Sequence, residues 1–388
     1  MSSTERRIRG RGAERQLSAQ DKLRIGVLAT RNVRAIRIDE AATSLSALTD
    51  TGEARIPLDP GPDPTRYFRA LRDHLSALFL NLPGGYPAHI GRWTRMDSLH
   101  RDPARLLLLG DPEAVVAVAF ADTRDARVAA DGWWCSQSVE IALALLRHPG
   151  AADWPVGQEL ARFMLEHLPF EEDAATVAGA LGRILQPGLV SSDRAADLWR
   201  RGRRRHPWRA GFFLGHPALY PDTWGEHPEY RALGKRLSGH GMDRNPVALL
   251  LLEFLGEPGR NALAALVGAL DNPREQEVVT LVFRRVRDVF RWPGPAPERP
   301  RESAAAWSLA DDLLAREEGH AKVVRPLLGD GQWDGLRSLA YLCLVGEEML
   351  APVFGGNTFS GSVMLRHLGP ILADVRTAAR AVLDFPVS

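Results

Sequence analysis

The sequence predicts a mainly α protein, an irregular α-solenoid of HEAT- or armadillo-like helical hairpins with a small N-terminal β-hairpin. Apolar residues recur at helical spacing in successive segments of about three turns, for example Val177, Leu181, Ile184 and Leu185. Each segment is closed by a short Gly, Pro, Asp or Ser break, and strand-like alternation is confined to the first 60 residues. Because no fixed repeat length is visible, a nonrepetitive all-α bundle stays open as an alternative.

The N-terminal part divides into an arm and a small folded region. Residues 1–17 are rich in arginine and poor in large apolar side chains, which predicts a disordered basic arm. Residues 18–60 are predicted to form a short helix capped by Ser18, followed by a β-hairpin. The two predicted strands, NVRAIRID and GEARIPLD, alternate apolar and polar residues on either side of a turn at Thr51 and Gly52.

Helices are predicted from residue 61 to the end of the chain. Residues 61–205 are interpreted as a first helical lobe, which begins with the N-cap Asp63 and the first-turn Pro64. Residues 206–246 are dense in Pro, Gly and aromatic residues and are interpreted as a joint. A second helical lobe, 247–388, contains a proline-rich loop at 292–300.

Composition limits the possible functions. The 388 residues carry 49 basic and 48 acidic side chains, so any attraction to nucleic acid or to anionic lipid must be local. The sequence shows neither an apolar leader nor a membrane-spanning segment, so we expect a cytoplasmic protein without a membrane partner. No catalytic motif keeps the spacing that its chemistry requires, and we expect a nonenzymatic protein that needs neither a metal nor a small-molecule cofactor.

The cysteines and the His-Pro pairs are interpreted as structural residues rather than as reactive ones. Cys135 follows two tryptophans, which indicates burial, although a reactive thiol remains an alternative. Cys343 lies in an apolar helical run. The His-Pro pairs, which begin at His148, His206, His216 and His227, are interpreted as helix starts or stops without chemistry.

One local charge feature rises above the background. The segment RRGRRRHPWR, 200–209, places six arginines in ten residues beside a tryptophan, a combination that suits phosphate pairing and base stacking. A solvated helix end is the alternative interpretation. A second segment, NLPGGYPAHIGRWTRM at 81–96, is interpreted as a helix corner with exposed contacts. The candidate partner-binding residues are Arg200, Arg201, Arg203, Arg204, Arg205, Trp208, Arg209, Tyr86, Arg92, Trp93 and Arg95.

Several stretches resemble one protein family. NLPGGYPAHIGRWTRM, LLLLGDPEAVVAVAFA, GWW, LEHLPFEED, LQPGLVSSDRAADLWRRGRRR and the closing GSVM are similar to the DsrS family, the sulfur reduction protein DsrS of sulfur-oxidising bacteria. The resemblance implies an accessory protein of the reverse dissimilatory sulfite reductase pathway, without an assigned enzyme activity or cofactor. The family word resembled by GWW has no cysteine after it, which weakens the case for Cys135 as a sulfur carrier.

The sequence thus favours one hypothesis over another from a different class. The favoured hypothesis is a nonenzymatic helical-repeat scaffold that acts as an accessory or regulatory factor of sulfur oxidation and binds a protein or RNA partner. The alternative is a sulfur carrier or an enzyme that acts through Cys135 or through a central pocket.

Overall fold

The computed structural model describes residues 17–80, 103–121, 125–295, 298–316, 320–354 and 361–387, with only the backbone of Gly361 and Ser362. The described residues are mainly helical, with a small antiparallel sheet near the N-terminus, as the sequence predicts at this coarse level. The chain divides into two compact units, 1–164 and 165–388.

The first unit begins with helix α1, Ala19–Ala29, whose N-cap Ser18 accepts a hydrogen bond from the Asp21 backbone N–H at 3.0 Å. A three-stranded sheet follows: β1, Val33–Asp39; β2, Ser44–Thr49; and β3, Gly52–Pro57.

The sheet has one strand more than the predicted hairpin. β2 pairs antiparallel with both neighbours, so that Leu45 lies between Ile38 of β1 and Ile56 of β3. The turn before Gly52, whose φ is +124°, therefore joins β2 to β3, and the two predicted strands lie on opposite edges. The prediction missed β2 because SLSALT contains one β-branched residue, Thr49, and no aromatic residue, whereas most strands are rich in both types.

Helix α2, Pro64–Leu80, shares a hydrophobic core with α1 and the sheet, to which it contributes Phe68, Leu71 and Leu75. Pro64 occupies the first helical position, as predicted. The remaining helices that begin in this unit are α3, Pro112–Phe120; α4, Ala126–Cys135; α5, Val139–Leu145; and α6, Gly157–His167.

The second unit is mainly helical in its described residues. Its helices are α7, Ala174–Ile184; α8, Ser192–Gly202; α9, His206–Leu214; α10, Glu229–Gly239; α11, Pro246–Leu255; α12, Glu257–Ala269; α13, Gln276–Val289; α14, Ser303–Ala315; α15, His320–Val324; α16, Asp330–Leu344; α17, Ala351–Phe354; and α18, Gly361–Leu383. The segment 206–246, interpreted from the sequence as a joint, lies inside this unit and contains α9 and α10.

Glycines bring α7 and α9 unusually close together. A Cβ atom at Gly211 would lie 2.6 Å from the Leu181 Cβ, and one at Gly182 would lie 2.5 Å from the Leu214 Cβ. Hydrogen is therefore the largest substituent that fits at either position without displacing a neighbour. α9 also packs against α12 and α13, so contacts with three helices determine its position.

Candidate anion-binding pocket

The arginine-rich segment 200–209 forms the connection between α8 and α9. Arg200 and Arg201 lie in the last turn of α8, and each pairs with Asp197, at 3.3 and 2.9 Å. Both side chains remain mostly exposed, where an ion pair contributes at most about 1 kcal/mol. These two arginines are therefore partly neutralised but still accessible.

Trp208 and Arg209 have structural contacts. The Trp208 ring packs on Gly202, where a Cβ would lie 2.1 Å from Cε3 of the ring. Arg209 reaches the C-terminal end of α12: its Nε donates to the Gly268 carbonyl at 2.8 Å, and its guanidinium also donates to the Asp271 carbonyl. A guanidinium satisfies carbonyls that a helix end leaves without intrahelical partners.

Arg203, Arg204 and Arg205 occupy the turn itself and are exposed. Within the described part of the chain, no carboxylate forms an ion pair with any of the three. Their charge is therefore available to an external anion.

Two of these arginines, Arg204 and Arg205, line a pocket of about 390 Å³. The pocket lies where α9 and α13 begin and α12 ends, and the partial positive charge of two helix N-termini adds to that of the arginines. It is lined by Arg204, Arg205, His206, Pro207, Arg209, Asp271, Asn272, Arg274 and Glu275.

Positive charge dominates the lining. Four of the lining residues are arginines and two are acidic, and one acid, Asp271, is 3.6 Å from Arg376. Arg274 is exposed and, among the described residues, forms no ion pair. The pocket can therefore attract and hold an anionic group, whereas it would repel a cation.

His206 and Glu275 also line the pocket and lie close to each other. The His206 side chain is only 4% exposed, and its Nε2 is 2.9 Å from the Ala269 carbonyl. Its Nδ1 is 3.6 Å from Oε2 of Glu275. Burial lowers the pKa of His206, although the hydrogen bond to the Ala269 carbonyl and the nearby Glu275 oppose that effect.

The other predicted contact residues cannot be placed beside this pocket. Tyr86, Arg92, Trp93 and Arg95 lie outside the described residues. The idea that they contribute to a partner surface stays a prediction.

The cysteines are buried. Cys135 lies at the end of α4 with its Sγ 3.7 Å from the Ile36 carbonyl, and burial raises the pKa of its thiol to about 12. Cys343 is 3% exposed at the wall of a second cavity, of about 350 Å³, and burial raises the pKa of its thiol as well. Both thiols are protonated at neutral pH, a state that disfavours nucleophilic chemistry.

Sequence reasoning did not identify the pocket residues that lie between α12 and α13. Arg274 and Glu275 stand 70 residues after Arg204 and Arg205 in the chain and look like an ordinary helix start. His206 was interpreted as part of a His-Pro pair at a helix start or stop, and it begins α9, with Pro207 in the first turn. The exceptionally dense run of arginines was the only signal that pointed to this place.

Comparisons with known proteins do not assign the chain to a family. No protein-family model, no curated protein and no solved structure matches it. The resemblance to the DsrS family therefore stays a prediction. In the described part of the chain, no group of three or more metal-ligating side chains occurs, and no helix has both the length and the apolar character that a membrane crossing requires.

Proposed function

We propose that this protein binds single-stranded RNA through the anion-binding pocket and the exposed arginines beside it, as a nonenzymatic helical scaffold. The observation that carries the proposal is a group of four exposed arginines that lack acidic partners among the described residues. Arg204, Arg205 and Arg274 line a pocket between two helix N-termini, and Arg203 precedes Arg204 in the same turn. Arginine pairs with phosphate through two parallel N–H groups, so this arrangement suits a phosphate backbone.

Single-stranded RNA fits the arrangement better than an acidic protein does. A pocket of about 390 Å³ accepts a group of the size of one nucleotide, and flanking phosphates can then pair with the arginines at its rim. An acidic protein surface would pair with the exposed arginines without needing the pocket. Binding of protein without RNA is therefore the main competing outcome.

The wider role that we propose rests on the sequence resemblance. If the chain is a DsrS-like protein, it acts in the cytoplasm as an accessory or regulatory factor of sulfur oxidation through the reverse sulfite reductase pathway. The proposed helical hairpins would form an irregular α-solenoid, whose extended surface suits binding of a long partner. Affinity purification from a sulfur-oxidising cell, analysed for both RNA and protein, tests this role, and recovery without either class would contradict it.

A gel shift with single-stranded RNA tests the binding proposal directly. The triple variant Arg203→Glu, Arg204→Glu, Arg205→Glu reverses three exposed charges beside the pocket, so we expect it to lose most of the binding. The matched control, Arg244→Glu, Arg301→Glu, Arg316→Glu, makes the same change in net charge at exposed positions elsewhere in the second unit and is expected to retain binding. Equal binding by the two variants would contradict the proposal.

A further inference from the structure

The proline-rich loop at 292–300 and the C-terminal end of α13 border the second cavity, of about 350 Å³. The loop contributes Trp292, Gly294 and Arg299 to its lining, and α16 contributes Cys343. The cavity and the anion-binding pocket have no lining residue in common, although α13 begins beside one and ends beside the other. The proposed binding of RNA therefore leaves this cavity without an assigned role.

Two of the three arginines that line the cavity have acidic partners. Nη1 of Arg287 is 3.7 Å from Oε1 of Glu347, and Nη2 of Arg291 is 3.9 Å from Oδ1 of Asp288. The charges of these two arginines are therefore partly neutralised within the protein.

Arg299 is the third arginine, and it lacks such a partner. Within the described part of the chain it forms no ion pair, and its Nη1 donates one hydrogen bond, to the Val345 carbonyl at 2.6 Å. The side chain is half-buried, and burial lowers its pKa, an effect that the charge of Glu348 opposes. A guanidinium has five N–H groups, so Arg299 keeps donors for an external anion.

The rest of the lining decides which kind of anion fits. One guanidinium pairs with one carboxylate through two parallel N–H groups, so Arg299 suits a ligand with a single carboxylate. Trp292 and the protonated thiol of Cys343 add apolar surface, and the flat indole favours an aromatic ring. A volume of about 350 Å³ is near the lower limit for ligand pockets and suits a small molecule.

Prolines restrict the backbone at both loop residues that would contact such a ligand. Pro293 follows Trp292 and Pro300 follows Arg299, and a proline confines the residue before it to extended conformations. Between them, Gly294 has a φ of +126°, which other residues rarely adopt. Because the backbone is restricted before a ligand arrives, the entropy cost of ordering the loop on binding is reduced.

We propose that this cavity binds a small aromatic carboxylate, whose carboxylate group pairs with Arg299 while its ring packs against Trp292 and Cys343. The site is independent of the proposed binding of RNA.

Calorimetry with naphthoate, a bicyclic aromatic carboxylate, tests the inference. Naphthamide has the same ring system without the charge, and acetate has the charge without the ring. We expect naphthoate to bind saturably and each of the other two to bind at least about 10-fold more weakly, because each lacks one of the two contacts.

The variant Arg299→Gln removes the carboxylate partner and should weaken naphthoate binding at least about 10-fold, the effect of losing a charge-assisted hydrogen bond. Arg301→Gln is the matched control, because it removes the same charge at an exposed position that does not line the cavity, and its affinity should equal that of the wild type. Trp292→Leu leaves Arg299 and its contact with Val345 in place and should weaken naphthoate binding roughly 3-fold or more. Thermal unfolding verifies that each variant is folded.

Several results would overturn the inference. They are the absence of saturable naphthoate binding, equal binding of naphthamide, and an affinity that neither Arg299→Gln nor Trp292→Leu reduces. Displacement of naphthoate by single-stranded RNA would also overturn it, because the cavity would then belong to the RNA-binding surface. We expect instead that the variant Arg203→Glu, Arg204→Glu, Arg205→Glu loses RNA binding and retains naphthoate binding, so the two proposals can fail separately.

Discussion

His206 is the residue whose protonation most directly links the pocket to stability. Burial holds its pKa below the ordinary value of 6.5, so the unfolded chain takes up the proton more readily than the folded chain does. Stability that is present above the unfolded pKa is consequently lost as the pH falls toward the folded pKa. The charged groups that face the imidazole are Glu275 and Arg209, with Asp271 and Arg274 farther around the pocket.

The variant His206→Gln tests this linkage. Its amide N–H can replace the Nε2 donor to the Ala269 carbonyl, and it does not titrate. We expect urea unfolding at about pH 7.5 and about pH 5.5 to show a smaller loss of unfolding free energy on acidification in the variant than in the wild type. Parallel losses in the two proteins would show that His206 is not responsible.

The cysteines give a second prediction at the residue scale. Because Cys135 and Cys343 are buried and burial raises the pKa of both thiols, a thiol reagent at neutral pH should label neither residue in the folded protein and both after unfolding. Labelling followed by mass spectrometry measures this. Rapid modification of native Cys135 would revive the sulfur-carrier alternative.

Side-chain pairing explains why sequence alone could not define the pocket. The run of arginines was visible, but whether an arginine is free depends on its spatial neighbours. The Arg209 guanidinium donates hydrogen bonds to carbonyls about 60 residues away in the chain, whereas Arg203 is exposed in the turn between α8 and α9. The pairing of His206 with Glu275 likewise depends on the meeting of α9 and α13, which no local pattern reveals.

At the scale of elements, the close contact of α7 and α9 positions the start of α9 and with it the pocket. The substitution Gly211→Ala places a methyl group 2.6 Å from the Leu181 Cβ and 3.1 Å from the Ala178 carbonyl oxygen, so the helices must separate. We expect the free energy of unfolding to fall by about 1 to 3 kcal/mol, as for other overpacked contacts.

Gly179→Ala is the matched control for that substitution. It lies in α7 with no atom within 4 Å of the added Cβ, and alanine favours a helix over glycine by about 1 kcal/mol. Thermal unfolding of the two variants should therefore shift in opposite directions. A stabilising Gly211→Ala would contradict the described packing.

The elements differ in how well the sequence predicts them. Helices with a clear apolar stripe and a polar cap, such as α2 and α7, were predictable because both signals are local. β2 was not, because it has one β-branched residue and no aromatic residue, and its burial comes from its position between two other strands. The arrangement of helices in the second unit depends on contacts between glycines and distant side chains, which periodicity does not encode.

At the scale of the whole molecule, the net charge indicates whether attraction to RNA is general or local. The net charge of +1 gives no overall affinity for a polyanion, so binding of RNA must come from the local group of arginines. Such binding weakens as salt rises, because each phosphate that pairs with an arginine releases counterions.

The salt dependence of RNA binding therefore tests the central claim most directly. For the wild type, we expect the logarithm of the affinity for single-stranded RNA to fall linearly with the logarithm of the salt concentration. Loss of three phosphate contacts in the variant Arg203→Glu, Arg204→Glu, Arg205→Glu should reduce that slope by about 2, whereas the Arg244, Arg301 and Arg316 control keeps it. An unchanged slope in the first variant, or no measurable binding by the wild type at low salt, would contradict the account.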